Sequence, residues 1–298
     1  ANNSSDDGNQ RRLGVEPSVI FGKDNRIPVS PSKMDMYPAR TVGAILYPNR
    51  DRTSFLRLCT GTVVAKHIVL TARHCLPFDS SGDLDVASVA TMLFASGMSG
   101  NEYNHLGVVK AVSVTGPNEN IAYLVIERLD MTAMEADGTG IGEHTGWIKQ
   151  ELVSRSYFEQ RRRVSYIGYG GQAGPSLVSE CHTQGYAHDI GVKVDCDMQL
   201  GSDGAAMIQN LRYRNGKFLQ GDFKVVAIFS HFVIPSKEAP PDTVVVMPLG
   251  YGKDAYESTV SMARTVFPNQ VPTAKPTRKT TPEPTRKPTP EPTAKPTR

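Results

Sequence analysis

Ten short runs of β-branched and aliphatic residues fill the middle of the chain, at 40–47, 58–64, 67–70, 108–114, 121–126, 164–169, 190–194, 205–209, 224–229 and 243–247. Each has the length of a strand, and Gly, Pro, Asn and Asp stand between them. A chain interrupted this often cannot build long helices. Helical periodicity occurs mainly once, within 254–267, where Tyr256, Val260, Ala263 and Phe267 fall at i, i+4, i+7 and i+11. Many short strands followed by one terminal helix predict an all-β protein built of barrels.

The chain can bury such a core, because 39% of its 298 residues are hydrophobic and only 21% are charged. No apolar run approaches the roughly 18 residues of a membrane span, so no transmembrane helix is expected. The formal net charge of +3 is unevenly placed. Residues 271–298 hold seven Lys/Arg against Glu283 and Glu291, a net of +5, which leaves −2 for the rest. The basic character belongs to a tail, so no nucleic-acid partner is indicated for the body. Nine of the 21 prolines fall within 268–298, among repeated Thr-Pro-Glu-Pro-Thr and Ala-Lys-Pro-Thr-Arg units. Proline fixes φ and removes backbone donors, so this segment reads as a disordered, extended, solvated stalk that can hold anionic polymers. Residues 1–16 are polar and read as a flexible arm.

The chain opens at Ala1 with neither Met nor an apolar leader, and reads as a mature secreted product. Asn2 and Asn3 are overlapping N-x-S/T glycosylation candidates. The four cysteines, Cys59, Cys75, Cys181 and Cys196, form no C-x-x-C and so lack zinc-ribbon spacing. They fall as two pairs of similar separation, one in each half. Two local disulfides in an extracellular protein fit this best, with reduced buried thiols as the alternative. The histidines show no metal-site spacing, and neither a metal nor a cofactor is expected. Gly168-Tyr169-Gly170-Gly171-Gln172-Ala173 is read as a turn rather than a dinucleotide loop, because Pro175 follows and no helix opens there.

The most informative stretch is Cys59-Thr60-Gly61-Thr62-Val63-Val64, followed by His67-Ile68-Val69-Leu70-Thr71-Ala72-Arg73-His74-Cys75. Strand, turn, strand and Thr-Ala-x-His-Cys together resemble the histidine motif of chymotrypsin-like serine proteases. Other segments extend the resemblance over roughly 17–267. Ser18-Val19-Ile20-Phe21-Gly22-Lys23-Asp24-Asn25-Arg26 is similar to the mature start of glutamyl-endopeptidase-like members. Tyr166-Ile167-Gly168-Tyr169-Gly170 resembles the glycine turn of the second barrel, and Asp195 to Gly204 the segment that bears the nucleophile. Ala227-Ile228-Phe229-Ser230 resembles the strand lining the substrate cleft. The resemblance implies two antiparallel six-stranded β-barrels, at about 17–135 and 136–250, then a helix at about 253–267. It also implies a Cys59–Cys75 disulfide, with Cys181–Cys196 as its counterpart, and His74 in the place of the general base.

The departures from the family pattern bear on function. Gly201-Ser202-Asp203-Gly204 puts Asp203 where the family has its serine. Asn120-Ile121-Ala122-Tyr123-Leu124 puts Asn120 where the family has its acid. Of the three triad positions only His74 keeps the family residue. A carboxylate is a poor nucleophile toward an amide, and beside an oxyanion hole formed by the N–H groups of Gly201 and Asp203 its charge opposes the transition state. Ser202 stands one residue early for a nucleophile, and Glu119 could replace the acid only by a similar slip. Asp197, six residues before Asp203, would form with Ser230 a specificity pocket for a basic side chain; the alternative is a structural carboxylate holding backbone N–H groups. Ser202 also stands where many digestive members have the aspartate that pairs with a freed N-terminus, so activation of that kind is not expected.

The reading is a secreted, catalytically inactive serine protease homologue that acts by binding, as a regulator, decoy or inhibitor. The Pro/Thr/Lys stalk resembles linkers of secreted oomycete and fungal proteins, which suggests an apoplastic effector whose partner is a protease or glycosidase of another organism. The alternatives are an active endopeptidase with an atypical site, or a wall- or matrix-associated binding protein.

Overall fold

The computed structural model describes residues 18–21, 23–49, 54–170, 174–187, 191–199, 201–233 and 243–268. The expected N-terminal arm, Asn2, Asn3 and the stalk beyond Pro268 lie outside the described residues.

Six strands build the first barrel: β1 (Val42–Pro48), β2 (Phe55–Ala65), β3 (Ile68–Ala72), β4 (Leu93–Ser96), β5 (His105–Val114) and β6 (Ile121–Asp130). They hydrogen-bond in the order β3-β2-β1-β4-β5-β6, and β3 pairs with β6 to close the cylinder, with Ile68 opposite Val125 and Ala72 opposite Ile121. The second barrel contains β7 (Arg163–Tyr169), β8 (Pro175–Ala187), β9 (Gly191–Val194), β10 (Ala206–Gln209), β11 (Lys224–Val233) and β12 (Thr243–Pro248). Its order is β11-β10-β7-β8-β9-β12, closed by β12 on β11. All pairs within the two barrels are antiparallel. Closure leaves neither cylinder an open edge.

Alternation along the strands turns one face of each barrel inward. Ile45, Val63, Leu70, Phe94 and Leu124 are fully buried in the first barrel; Tyr166, Val178, Val226 and Phe229 are fully buried in the second. The larger apolar core runs through the junction between barrels, where Val42, Ile167, Tyr169, Ile208 and Ile228 belong to one packed cluster. The two barrels therefore share buried surface, and side chains at their seam are held from both sides.

The helix Lys253–Val266 closes the fold against the first barrel. Ala255, Thr259 and Ala263 are its buried residues, flanked by half-buried Tyr256 and Val260. Its end is pinned where the ring of Phe267 stacks on His67, with centroids 3.9 Å apart. The apolar stripe read from the sequence is thus the face that meets the barrel.

Both disulfides are present, Cys59–Cys75 and Cys181–Cys196. The first links β2 to the turn after β3. The second links β8 to the loop after β9.

Candidate active site

Strand β3 ends at Ala72, and the 3-10 turn Arg73–Cys75 carries His74 out of the barrel. The Cys59–Cys75 disulfide ties this turn to β2. The His74 side chain is 42% exposed, so the ring stands at an open surface of the junction.

Asn120 meets it from the residue before β6. Its φ of +50° is left-handed, a conformation asparagine tolerates better than most side chains. The Arg73 N–H donates to the Asn120 carbonyl at 3.0 Å, and the His74 N–H donates to Asn120 Oδ1 at 2.9 Å. Asn120 Nδ2 lies 2.7 Å from His74 Nδ1 and 2.9 Å from both the carbonyl oxygen and Oγ of Ser230. These partners fix the amide orientation. Flipping it would turn Oδ1 toward the Ser230 carbonyl and leave the His74 N–H facing an NH₂ group.

The amide orientation then dictates the imidazole tautomer. The Asn120 NH₂ can only donate, so His74 Nδ1 accepts, and the ring proton of the neutral imidazole sits on Nε2. Nε2 lies 3.2 Å from Asp203 Oδ1, within ion-pair distance, so the ring proton faces the carboxylate. Donation runs from amide to ring at Nδ1, and a carboxylate stands opposite the other nitrogen.

Asp203 belongs to the turn Gly201-Ser202-Asp203-Gly204, which Thr60 of β2 grips across the barrel seam. The Thr60 N–H donates to the Asp203 carbonyl at 2.8 Å, and Thr60 Oγ1 donates to the Gly201 carbonyl at 3.0 Å. The Tyr169 N–H in turn donates to Thr60 Oγ1 at 2.9 Å. Gly204 has φ +81°, and a Cβ there would sit 2.4 Å from both the Thr60 carbonyl and Thr71 Oγ1. Only glycine lets the turn approach β2 and β3 this closely. Among the described residues, the N–H groups of Gly201 and Asp203 meet no acceptor.

The alternative site residues are placed elsewhere. Ser202 is fully buried, with Oγ beside Gly168 and Tyr166 of the second barrel. The Glu119 carboxylate folds over Gly116, so Asn120 is the residue that reaches His74. Ser230, expected in a specificity pocket, is fully buried and accepts from Asn120.

Asp197, for which the sequence leaves open a pocket base or a structural carboxylate, is engaged inside the fold. It is fully buried, its Oδ1 accepts from the Phe21 N–H at 2.7 Å, and its Oδ2 accepts from the Asn25 N–H at 2.8 Å. The Tyr166 hydroxyl holds its carbonyl, and burial raises the ionisation of that phenol far above the ordinary tyrosine range. This is the geometry of a structural carboxylate, because both oxygens already serve backbone donors.

Solved structures share this architecture. A Glu endopeptidase has a TM-score of 0.56 at 16% identity, the match covering 82% of this chain and 100% of that one. The protease Anisep from Arthrobacter nicotinovorans has a TM-score of 0.53 at 15% identity, covering 74% and 96%. The thermostable serine protease AL20, from an extremophilic microorganism, has a TM-score of 0.51 at 18% identity, covering 74% and 97%. The fold is that of the chymotrypsin-like serine proteases. No family model matches the sequence, and no curated protein matches it.

Within this fold, the hydrogen bond at His74 Nδ1 runs opposite to that of the protease triad. In the protease triad a carboxylate accepts from the Nδ1–H, which leaves Nε2 free to take the nucleophile's proton. Here an amide donates to Nδ1, and Nε2 faces a carboxylate at 3.2 Å.

Sequence reasoning passed over Thr60 and Tyr166. Thr60 holds the Asp203 turn and Tyr166 holds the Asp197 carbonyl. Thr60 lies inside the histidine motif, but its role is a contact 141 residues away in sequence, and no local pattern encodes that. Among the described residues, one group of potential metal ligands converges, His74 with Cys59 and Cys75, and its two sulfurs are joined in the disulfide.

Proposed function

We propose that this protein is a secreted serine protease homologue without peptidase activity, acting by binding another protein through its cleft or barrel loops. The observation that carries the reading is the contact of Asp203 with His74 Nε2 at 3.2 Å. An attacking hydroxyl must stand there and lose its proton to Nε2. Asp203 presents an acceptor with no proton to give, and His74 presents a donor. The fault is therefore double, since neither nucleophile nor base is in the required state.

Asn120 supports the same reading. In the protease mechanism the triad acid stabilises the imidazolium through Nδ1–H, and an amide donor at that nitrogen opposes it. Replacing the acid by its amide costs about 10⁴ in kcat in a working protease. A carboxylate beside the Gly201 and Asp203 N–H groups adds an opposing charge where an oxyanion would form. Catalysis through Ser202 is disfavoured by its burial against Gly168. Two formed disulfides favour an oxidising, extracellular setting. The partner proposed is a hydrolase of another organism, held by a cleft that has lost its chemistry.

Incubation with a serine-directed fluorophosphonate, read by intact mass, tests the reading. The mass should stay unchanged, and peptide and ester substrates should remain uncleaved. An adduct mapped to Ser202 would overturn it.

A further inference from the structure

The second barrel carries a basic cavity, of about 260 Å³, that the proposed function does not use. It is lined by Arg161, Arg162 and Arg163 from the start of β7 and by Gln209, Asn210 and Arg212 after β10. The β7–β10 pairing, with Ser165 opposite Ile208, brings these two sequence-distant segments together. Ser165 Oγ donates to the Leu211 carbonyl at 3.1 Å and fixes the turn that presents Arg212. Among the described residues, no acidic residue lines the cavity.

Its arginines are incompletely neutralised. Arg161 reaches Asp195 at 3.7 Å, but that carboxylate already accepts from the His182 N–H and the Gln184 amide. Arg163 meets Glu180 at 3.2 Å in an open surface pair, which is weak in water. Among the described residues, Arg162 and Arg212 have no carboxylate partner. Arg162 is also held in place. Its N–H donates to Thr183 Oγ1 at 2.7 Å, its Nε donates to the Tyr157 carbonyl at 3.2 Å, and its guanidinium lies over the Tyr157 ring. That leaves the donors on its two terminal nitrogens.

We propose that this cavity binds a phosphate dianion, free or as a monoester. Four guanidinium groups face two neighbouring carboxylates, an excess of two positive charges, which a phosphate balances and a single carboxylate does not. Four forks also supply more donor directions than the two oxygens of a carboxylate can fill, whereas a tetrahedral phosphate offers three or four oxygens. Gln209 adds a neutral donor, and Asn210 Nδ2, which gives one hydrogen to the Asp222 carbonyl at 3.1 Å, has a second. The site lies on the second barrel and does not depend on whether His74 is catalytic.

Titration calorimetry on the full chain at low salt tests this, with inorganic phosphate, glucose 6-phosphate and acetate as probes. Saturable one-to-one phosphate binding is expected, at least tenfold weaker in Arg212→Gln and in Arg162→Gln, with acetate much weaker than either phosphate. If Arg162→Gln fails to fold, Arg212→Gln decides alone, because the Arg212 side chain has no hydrogen bond or ion pair among the described residues and its backbone bond to Leu219 is kept. A chain with the seven tail Lys/Arg changed to Gln should keep its affinity. Tighter binding of glucose 6-phosphate assigns the site to esters, and tighter inorganic phosphate to the free ion. Equal phosphate affinity in wild type and Arg212→Gln, loss of binding in the tail variant alone, or acetate binding as tightly as phosphate would each overturn the proposal.

Discussion

At the scale of single residues, Asn120 and Asp203 meet the two ring nitrogens of His74. Each acts on a different ring nitrogen, so their effects on a restored enzyme should be non-additive. Asp203→Ser alone should give little hydrolysis, because Asn120 still donates to Nδ1 and holds the unproductive tautomer. Asn120→Asp alone should give none, because no nucleophile is present. The double variant Asp203→Ser/Asn120→Asp should exceed Asp203→Ser by about 10²–10⁴ in kcat/KM, read with an activated ester. A double variant no faster than Asp203→Ser would show that the N–H groups of Gly201 and Asp203 no longer form a working oxyanion hole. These residues were legible in the sequence because Gly201, Gly204, Cys75 and His74 keep their spacing. The tautomer was not legible, since it depends on Ser230 fixing the Asn120 amide from 110 residues away. The choice between pocket base and structural carboxylate at Asp197 was open for a similar reason: spacing gives its position along the chain, while the direction of its carboxylate depends on the N-terminal segment.

At the scale of elements, that segment straps the second barrel. Ser18–Val19 pairs with Met198–Gln199, and Ile27–Pro28 pairs with Leu177 and Ser176 of β8. Between these two short ladders the chain is held by the Asp197 carboxylate on Phe21 and Asn25. Asp197→Ala leaves two backbone donors without acceptors at a part-buried site, at a cost of about 2–4 kcal/mol. The variant should melt lower and be cleaved within 18–28 by a low dose of protease while its barrels stay intact. Resistance equal to wild type would show that the strand pairs alone secure the strap. The disulfides act on elements too. Opening Cys181–Cys196, by changing both residues to Ala, releases β8 from the loop after β9. Chain entropy for a loop this short puts the loss at about 3 kcal/mol, measurable by denaturant titration. Element types were readable wherever β-branched residues concentrate, and all ten runs found in the sequence are strands. Strands β4 and β8 escaped that reading. β4 is only Leu-Phe-Ala-Ser, and β8 opens on Pro175 and is rich in Ser, Glu, His and Gln. Both are strands because a barrel needs them to close, a tertiary demand that overrides weak local preference.

At the scale of the whole molecule, the terminal helix and the all-β class follow from periodicity alone, while the pairing of twelve strands into two closed barrels came only from the family resemblance. Closure joins β3 to β6 and β11 to β12, and no local pattern shows which strands will meet. Closure also buries groups whose ionisation then couples to folding. His105, at the start of β5, is half-buried, and burial first, with the neighbouring His144, Arg128 and Arg40 next, lowers its pKa from 6.5 to about 4, with Asp35 opposing weakly. The His144 ring lies 5.5 Å away. An unfolded chain would take up a proton on His105 near pH 6.5, whereas the folded chain resists until about pH 4. Between these values the unfolded state binds more protons, so folding stability must fall as pH falls through this window and level off below it. At full strength such a gap is worth ~3 kcal/mol, and water reaching the open side of the ring reduces it to about 1–2 kcal/mol. Urea titrations at pH 7, 5.5 and 4 should therefore show wild type losing about 1–2 kcal/mol more than His105→Gln over that range. Identical pH profiles for the two proteins would mean that His105 takes up its proton in the folded barrel as readily as in the unfolded chain.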